Sequence, residues 1–194
     1  MRTGLFGGTF DPIHMGHLVI AETVLSEYPL DRVCFLPAFQ PPHKNSGLIS
    51  APELRLEMAR LAIRNNVRFS VIDYEIRKGG VSYTIDTVLH LKKNEMKNNE
   101  LFLLIGSDSL LDIHTWKNPE YLVDEIKILV FDRPGFNINT VSRTLWDKVT
   151  RVNTPLISIS STEIRNRVHQ GKSITYWVPE KVESYINKHG LYRK

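Results

Sequence analysis

The stretch from Gly4 to His17 restricts what this 194-residue chain can fold into more than any other. It opens with a short apolar run, Gly4-Leu5-Phe6, of the kind that ends a buried strand. Gly7 and Gly8 follow, where a side chain would block a close backbone approach. Asp11-Pro12 ends the loop, because the residue before a proline avoids the helical region while proline itself suits a first helical turn. From His14 the apolar spacing becomes helical through Leu18, Ala21 and Leu25, which sets His14 and His17 on one face of the first turn. Backbone N–H groups and the positive end of the helix dipole then point the same way, a construction that suits a polyphosphate.

The remainder alternates between the two periods. Arg32 to Leu36 reads as a second strand, followed by a polar loop from Pro37 to Ser50 that contains Pro41-Pro42-His43-Lys44. Ser50 and Glu53 have capping-box spacing and should start a helix whose core stripe is Leu54, Met58, Leu61 and Ala62. Val67 to Ile76 is expected to be a third strand long enough to run past the sheet edge. Gly79-Gly80 makes a turn, and Ser82-Tyr83-Thr84 leads into a helix carrying Ile85, Val88, Leu89 and Leu91. Leu101 to Ile105 is the most apolar strand and belongs at the centre beside the first, ending in Gly106-Ser107-Asp108 with Trp116 beyond it. Ile126 to Phe131 is a fifth strand, with Arg133 directly after it. Residues 137–153 carry the weakest pattern, with one short helix expected around Val141 to Trp146. Leu156 to Ile159 reads as a short strand, and Ser160 with Glu163 again has capping-box spacing at the start of a helix. A last helix starts at Pro179, buries Val182 and Ile186, and stops at Gly190.

This alternation predicts an α/β fold: a doubly wound, Rossmann-like parallel sheet with helices on both faces, as one domain over residues 1–194 with a C-terminal helical part at about 160–194. Such sheets bind ligands beyond the carboxyl ends of their strands, at the topological switch point. The polar clusters fall in that position: Gly7 to His17, Lys44, Ser82 to Thr84, Asp108, Arg133 and Ser160 to Arg165 each follow a strand.

Charge narrows the function classes. The net charge of +4 is mild, and Arg55, Arg60, Arg64, Lys92, Lys93 and Lys97 are dispersed as solvated helix faces rather than gathered in a run. Nucleic-acid binding would call for a basic stripe with interleaved aromatics, which this chain lacks. The single cysteine, Cys34, allows no intramolecular disulfide, so a reducing, cytoplasmic setting is expected. No signal peptide is expected before the first strand, and no apolar run approaches the ~18 residues of a membrane span.

The familiar phosphate loops do not account for the first motif. The dinucleotide pattern G-x-G-x-x-G is absent from the loop, and Gly171-Lys172-Ser173 has Asn166 where a Walker A loop begins with glycine. What remains is G-x-F-x-P-x-H-x-G-H from Gly8 to His17, joined much later by Ser160-x-Thr162-x-x-Arg165. These two signatures resemble the H-x-G-H nucleotidyltransferase superfamily, distant relatives of the class I aminoacyl-tRNA synthetases. Together with Pro41-Pro42-His43-Lys44, Ser82-Tyr83-Thr84, Gly106-Ser107-Asp108, Trp116 and the Gly190-Leu191-Tyr192 ending, the chain is similar nearly end to end to bacterial nicotinate-mononucleotide adenylyltransferases. The similarity is weakest between Asn137 and Asn153.

That resemblance implies transfer of the adenylyl group of ATP to nicotinate mononucleotide, giving deamido-NAD and pyrophosphate in NAD biosynthesis without a covalent enzyme intermediate. It implies His14, His17 and Arg165 as catalytic, with His17 on an α-phosphate oxygen and His14 on the phosphates or the attacking group. ATP would be held by Gly7, Gly8, Phe10, His17 and Gly106, and its β- and γ-phosphates by Arg165 and the amides beginning at Ser160, Ser161 and Thr162. On the acceptor side, Lys44 would meet the mononucleotide phosphate and Asp108 a ribose. Trp116 would stack on the pyridine ring and amides near Ser82, Tyr83 and Thr84 would hold its carboxylate, while Arg133 also belongs to the mononucleotide-binding set and is, with Lys44, a candidate for its phosphate. Mg2+ would be bound mainly through substrate phosphates, with no dedicated protein metal site. Nicotinamide mononucleotide or phosphopantetheine are the alternative acceptors. A sensor or nucleic-acid module that keeps the fold without turnover is the alternative class, though it would be expected to lose an imidazole or Arg165. The partners expected are ATP and nicotinate mononucleotide, with no nucleic acid and no membrane; a homo-oligomer is left open.

Overall fold

The protein is described by a computed structural model over residues 1–42, 49–136, 141 and 143–193. Its strands are β1 (Arg2–Gly8), β2 (Arg32–Pro37), β3 (Phe69–Val71), β4 (Glu100–Gly106), β5 (Lys127–Phe131) and β6 (Val149–Val152). They form one sheet in the order β3-β2-β1-β4-β5-β6, and each neighbouring pair runs parallel. The helices are α1 (Met15–Glu27), α2 (Pro52–Ile63), α3 (Tyr74–Lys78), α4 (Thr84–Lys93), α5 (Ser107–Leu111), α6 (Pro119–Glu125), α7 (Arg143–Trp146), α8 (Ser161–His169) and α9 (Glu180–Lys188), with a 3-10 turn at Ile113–Thr115.

Successive strand residues point to opposite faces, so each buried strand feeds two cores. On one face Phe6, Val33, Phe35, Phe102, Leu104 and Phe131 meet α1, α2, α8 and α9 through Val24, Met58, Ile164 and Ile186. On the other, Leu5, Cys34, Leu103, Ile105 and Val130 meet α4, α5 and α6 through Ile85, Leu110 and Leu122. The doubly wound arrangement follows, and Leu101 to Ile105 lies in the central position expected beside β1. Chain order reverses between β1 and β4, so the switch point lies at Gly7, Gly8 and Gly106. Among the described residues no helix is long and apolar enough to cross a membrane.

Four local expectations are corrected. The third strand is three residues long rather than ten, because Asp73 receives Arg60 (3.1 Å) and Arg77 (2.7 Å) and the chain turns into α3 from Tyr74. Val67, the expected strand start, is fully exposed. The sixth strand is Val149–Val152, pairing Val130 with Arg151, whereas Leu156 to Ile159 forms no strand and Leu156 is 69% exposed. Ser50 does not cap α2: Ala51 holds that place with Pro52 in the first turn, and the Ser50 amide donates to Asp11 Oδ2 instead (3.2 Å). Finally, Arg55 is fully buried rather than part of a solvated face.

Candidate active site

The loop between β1 and α1 is built around one aromatic. Phe10 has φ of 50°, in the left-handed region, which costs an ordinary residue about 1–2 kcal/mol. Its ring is 2% exposed and meets Phe6 edge-on at 5.9 Å and His17 at 5.0 Å. Burying a ring of that size contributes about 1.5–3 kcal/mol, enough to offset the backbone cost. A Cβ on Gly8 would come within 2.8 Å of that ring, so this glycine makes room for Phe10. A Cβ on Gly7 would meet no described atom within 4 Å, which leaves the strand end open to a ligand.

The two imidazoles sit at the start of α1, in the places where serine and glutamate would form a capping box. They stack at 3.7 Å between centroids, and a Cβ on Gly16 would already press on His14 Nδ1 at 3.0 Å. The His14 amide donates to His17 Nδ1 (3.2 Å). A nitrogen that accepts carries no proton, so neutral His17 holds its hydrogen on Nε2. His14 is 3% exposed, and its Nδ1 faces the His17 amide without a hydrogen bond of normal geometry. Burial, helped by the positive charge of Arg133, lowers the His14 pKa to about 3. At physiological pH His14 is therefore a neutral hydrogen-bonding ring rather than a second cation.

The second signature docks directly on the first. Ser160 caps α8, its hydroxyl accepting from the Glu163 amide at 3.1 Å, as its spacing predicts. Ser161 donates its hydroxyl to the Pro12 carbonyl (2.9 Å), and Arg165 Nη1 donates to the Asp11 carbonyl (2.8 Å). Arg165 Nη2 also donates to Thr162 Oγ1 (3.2 Å). Two helix N-termini, α1 and α8, are thus joined beside the open end of β1, the arrangement that favours an anion.

Across the switch point, Arg133 Nε lies 3.5 Å from Asp108 Oδ2, and the Arg133 amide donates to Ser107 Oγ (2.9 Å). Gly106 is dictated by that pair: a Cβ there would strike Asp108 Oδ1 at 2.3 Å and Arg133 Cδ at 2.9 Å. Asp108 and Arg133 therefore stand beside the switch point as an ion pair.

The third cluster gathers at the start of α4. Ser82 Oγ accepts from the Phe39 amide (2.9 Å), and the Ser82 amide donates to the Gln40 carbonyl (3.0 Å). Tyr83 caps α4 and Thr84 is its first residue. Lys117 Nζ lies 4.9 Å from the Tyr83 ring centroid and 2.9 Å from both Asp86 carboxylate oxygens, which brings the Trp116–Lys117 segment to this helix start. Trp116 is half-buried against the α4 side core. Lys44 lies outside the described residues.

Sequence reasoning missed two supports of this site. Arg55 donates to the carbonyls of Ser50 (2.9 Å), Thr9 (2.7 Å) and Phe39 (2.8 Å), tying the β1 loop to the strap beside Ser82. Asp11, 3% exposed, accepts from the Tyr192 hydroxyl on Oδ1 (2.7 Å). The periodicity of α2 did carry a signal, since Arg55 shares a stripe with Met58, Ala59 and Ile63. Nothing in the sequence marks the contact over 181 residues between Asp11 and Tyr192.

Concavity alone would have misled. A cleft of about 460 Å³ lies at the opposite ends of β4 and β5, lined by Glu100 and Lys127, which pair with each other at 2.8 Å.

The family described as cytidylyltransferase-like matches residues 5–167, a span that contains both signatures. Among curated proteins, the chain is 46% identical over 195 residues to a protein of Exiguobacterium sibiricum, with 99% of each chain covered. It is 43% identical over 193 residues to one of Thermus thermophilus, with all of each covered. Both are named probable nicotinate-nucleotide adenylyltransferases. A solved structure of Plasmodium falciparum nicotinic acid mononucleotide adenylyltransferase, complexed with NaAD, shares the fold at a TM-score of 0.81 and 22% identity, over 98% of this chain and 97% of that one. With full-length identity at this level, the chain belongs to the cytidylyltransferase-like family and, within it, to the nicotinate-nucleotide adenylyltransferases.

Proposed function

We infer that this enzyme transfers the adenylyl group of ATP to nicotinate mononucleotide, forming deamido-NAD and releasing pyrophosphate. The observation that carries the reading is the docking of the α8 start onto the β1 loop through Arg165 and Ser161, beside two stacked imidazoles. In the reaction a phosphate oxygen of the mononucleotide attacks the α-phosphorus of ATP with its own electron pair, the bond from the α-phosphorus to the α,β-bridging oxygen breaks on the opposite side, and pyrophosphate leaves with the electrons of that broken bond. Such chemistry needs positioning and charge stabilisation more than a protein nucleophile.

His17 supplies a donor on Nε2 to a non-bridging α-phosphate oxygen, where charge builds in the transition state. Neutral His14 holds the His17 ring and contributes no charge of its own that would compete with Arg165. Arg165, with the amides from Ser160 to Thr162, holds the β- and γ-phosphates. Gly7, Gly8, Phe10 and Gly106 shape the open strand ends that receive ATP. Mg2+ would accompany ATP, held mainly by its phosphate oxygens, and would neutralise charge on the departing pyrophosphate.

The acceptor lies across the switch point. Lys44 and Arg133 take its phosphate, and Asp108 its ribose. Trp116 stacks on the electron-poor pyridine, while amides at Ser82, Tyr83 and Thr84 receive the carboxylate. The test is a Trp116→Ala variant beside the parent enzyme, with deamido-NAD and pyrophosphate counted one for one. Loss of a stacking partner should raise the KM for nicotinate mononucleotide roughly tenfold and leave the KM for ATP within about twofold. An unchanged acceptor KM would remove Trp116 from the site, and no dinucleotide product from the parent would refute the reaction.

A further inference from the structure

Asp11 sits at the centre of the ATP loop, yet its side chain points away from the open strand ends into the protein. The residue is 3% exposed, and its carboxylate accepts from the Tyr192 hydroxyl at 2.7 Å on Oδ1 and from the Ser50 amide at 3.2 Å on Oδ2. The backbone carbonyl of the same residue accepts Arg165 Nη1 at 2.8 Å. One residue therefore links the end of the chain to the arginine assigned to the ATP phosphates.

The chain end is built to make that contact. Gly190 has φ of 60° beyond α9, and the Leu191 amide returns to the Ile186 carbonyl at 3.0 Å, which closes the helix. Tyr192 then adopts φ of 64°, unusual for a residue with a side chain, and its ring packs on the α2 and α9 side core. Burial and the neighbouring Asp11 carboxylate push the phenol pKa up, so the hydroxyl remains a donor across the working pH range. A buried carboxylate that loses such a donor must find water or another partner. Because the same residue presents its carbonyl to Arg165, a shift of the Asp11 side chain is passed to the loop backbone that holds the arginine.

We propose that Tyr192 is a positioning residue for ATP: its hydroxyl, donated to the Asp11 carboxylate, fixes the loop carbonyl that aims Arg165 at the phosphate chain. The inference rests on the assignment of Arg165 to the ATP phosphates. Tyr192 itself touches neither substrate, and its effect falls mainly on the ATP side, because Asp11 meets Arg165 directly but reaches Ser82 only through Ser50, Arg55 and Phe39.

The experiment uses the full-length enzyme with Tyr192→Phe, Arg165→Ala and the double variant. Phenylalanine keeps the packed ring and removes only the hydroxyl, so far-UV circular dichroism should be unchanged. Tyr192→Phe should raise the KM for ATP roughly tenfold, the scale of one hydrogen bond to a charged group, while the KM for nicotinate mononucleotide stays within about twofold. Arg165→Ala should raise the KM for ATP further, and the double variant should be no worse than Arg165→Ala alone, since both changes remove one linked interaction. A lowered Tm with unchanged KM for ATP would make Tyr192 merely structural and overturn the proposal, as would additive effects in the double variant. A normal KM for ATP in Arg165→Ala would instead refute the phosphate assignment, and the inference with it.

Discussion

Replacing His17 with alanine should leave the fold intact and lower kcat by roughly 10²–10³, the usual loss for one preorganised transition-state donor. The fold should survive because the loop is braced independently of this ring. Arg55 holds the Thr9 carbonyl, Ser161 holds the Pro12 carbonyl and Tyr192 holds the Asp11 side chain. The effect should fall on kcat rather than on the KM for ATP, since charge on the α-phosphate oxygen grows only as the bond to the bridging oxygen breaks. The accepting Nδ1, fixed by the His14 amide at 3.2 Å, is what leaves Nε2 as the donor. Steady-state pyrophosphate release over a range of ATP concentrations checks this. A fall of less than about tenfold would exclude His17 as a principal donor.

Arg55→Ala should have the largest effect on stability, a loss of about 3–5 kcal/mol and roughly 10 °C in Tm for a chain of this size. The guanidinium is 0% exposed and serves three carbonyls from three segments, at 2.7 to 2.9 Å. Burial lowers its pKa and the nearby Asp11 carboxylate opposes that shift most strongly; a guanidinium nonetheless stays protonated in a protein, so what is buried is a cation. Truncation would leave the carbonyls of Thr9, Phe39 and Ser50 without their charged donor, at about 1–3 kcal/mol for each that stays dry, and would open a cavity beside Met58. Lysine should recover only part of the loss, because one ammonium cannot reproduce a planar fork aimed at three acceptors. Thermal unfolding of both variants measures this, and a shift below about 1 kcal/mol for alanine would show that water replaces the guanidinium.

The sheet was legible because its information is local and repeated. Apolar runs such as Leu101 to Ile105 are buried on both faces, and the intervening segments switch to helical spacing, so parallel pairing and the switch point follow. The two signatures were legible for the same reason: a strand end, a glycine and a helix start leave a mark within a dozen residues. What escaped depends on distant partners. Val67 to Ile76 has the composition of a long strand, and only the Arg60 and Arg77 contacts to Asp73 show why it stops at Val71. Ser50 has the spacing of a cap but is drawn away by Asp11, thirty-nine residues earlier. Arg55 reads as solvated until the carbonyls of Thr9 and Phe39 are seen to converge on it. Lys44 lies outside the described residues, so its part in the acceptor site stands on the motif alone.

The central claim is tested most directly by pyrophosphate release from Mg-ATP with nicotinate mononucleotide and nicotinamide mononucleotide side by side. Turnover with the acid is expected, with a kcat/KM on the order of 10²-fold or more above that for the amide, because amides placed for a carboxylate discriminate against a group that cannot accept them equally. Equal use of the two would remove the carboxylate site from Ser82 to Thr84. No pyrophosphate from either acceptor, in enzyme that still binds ATP, would contradict the account.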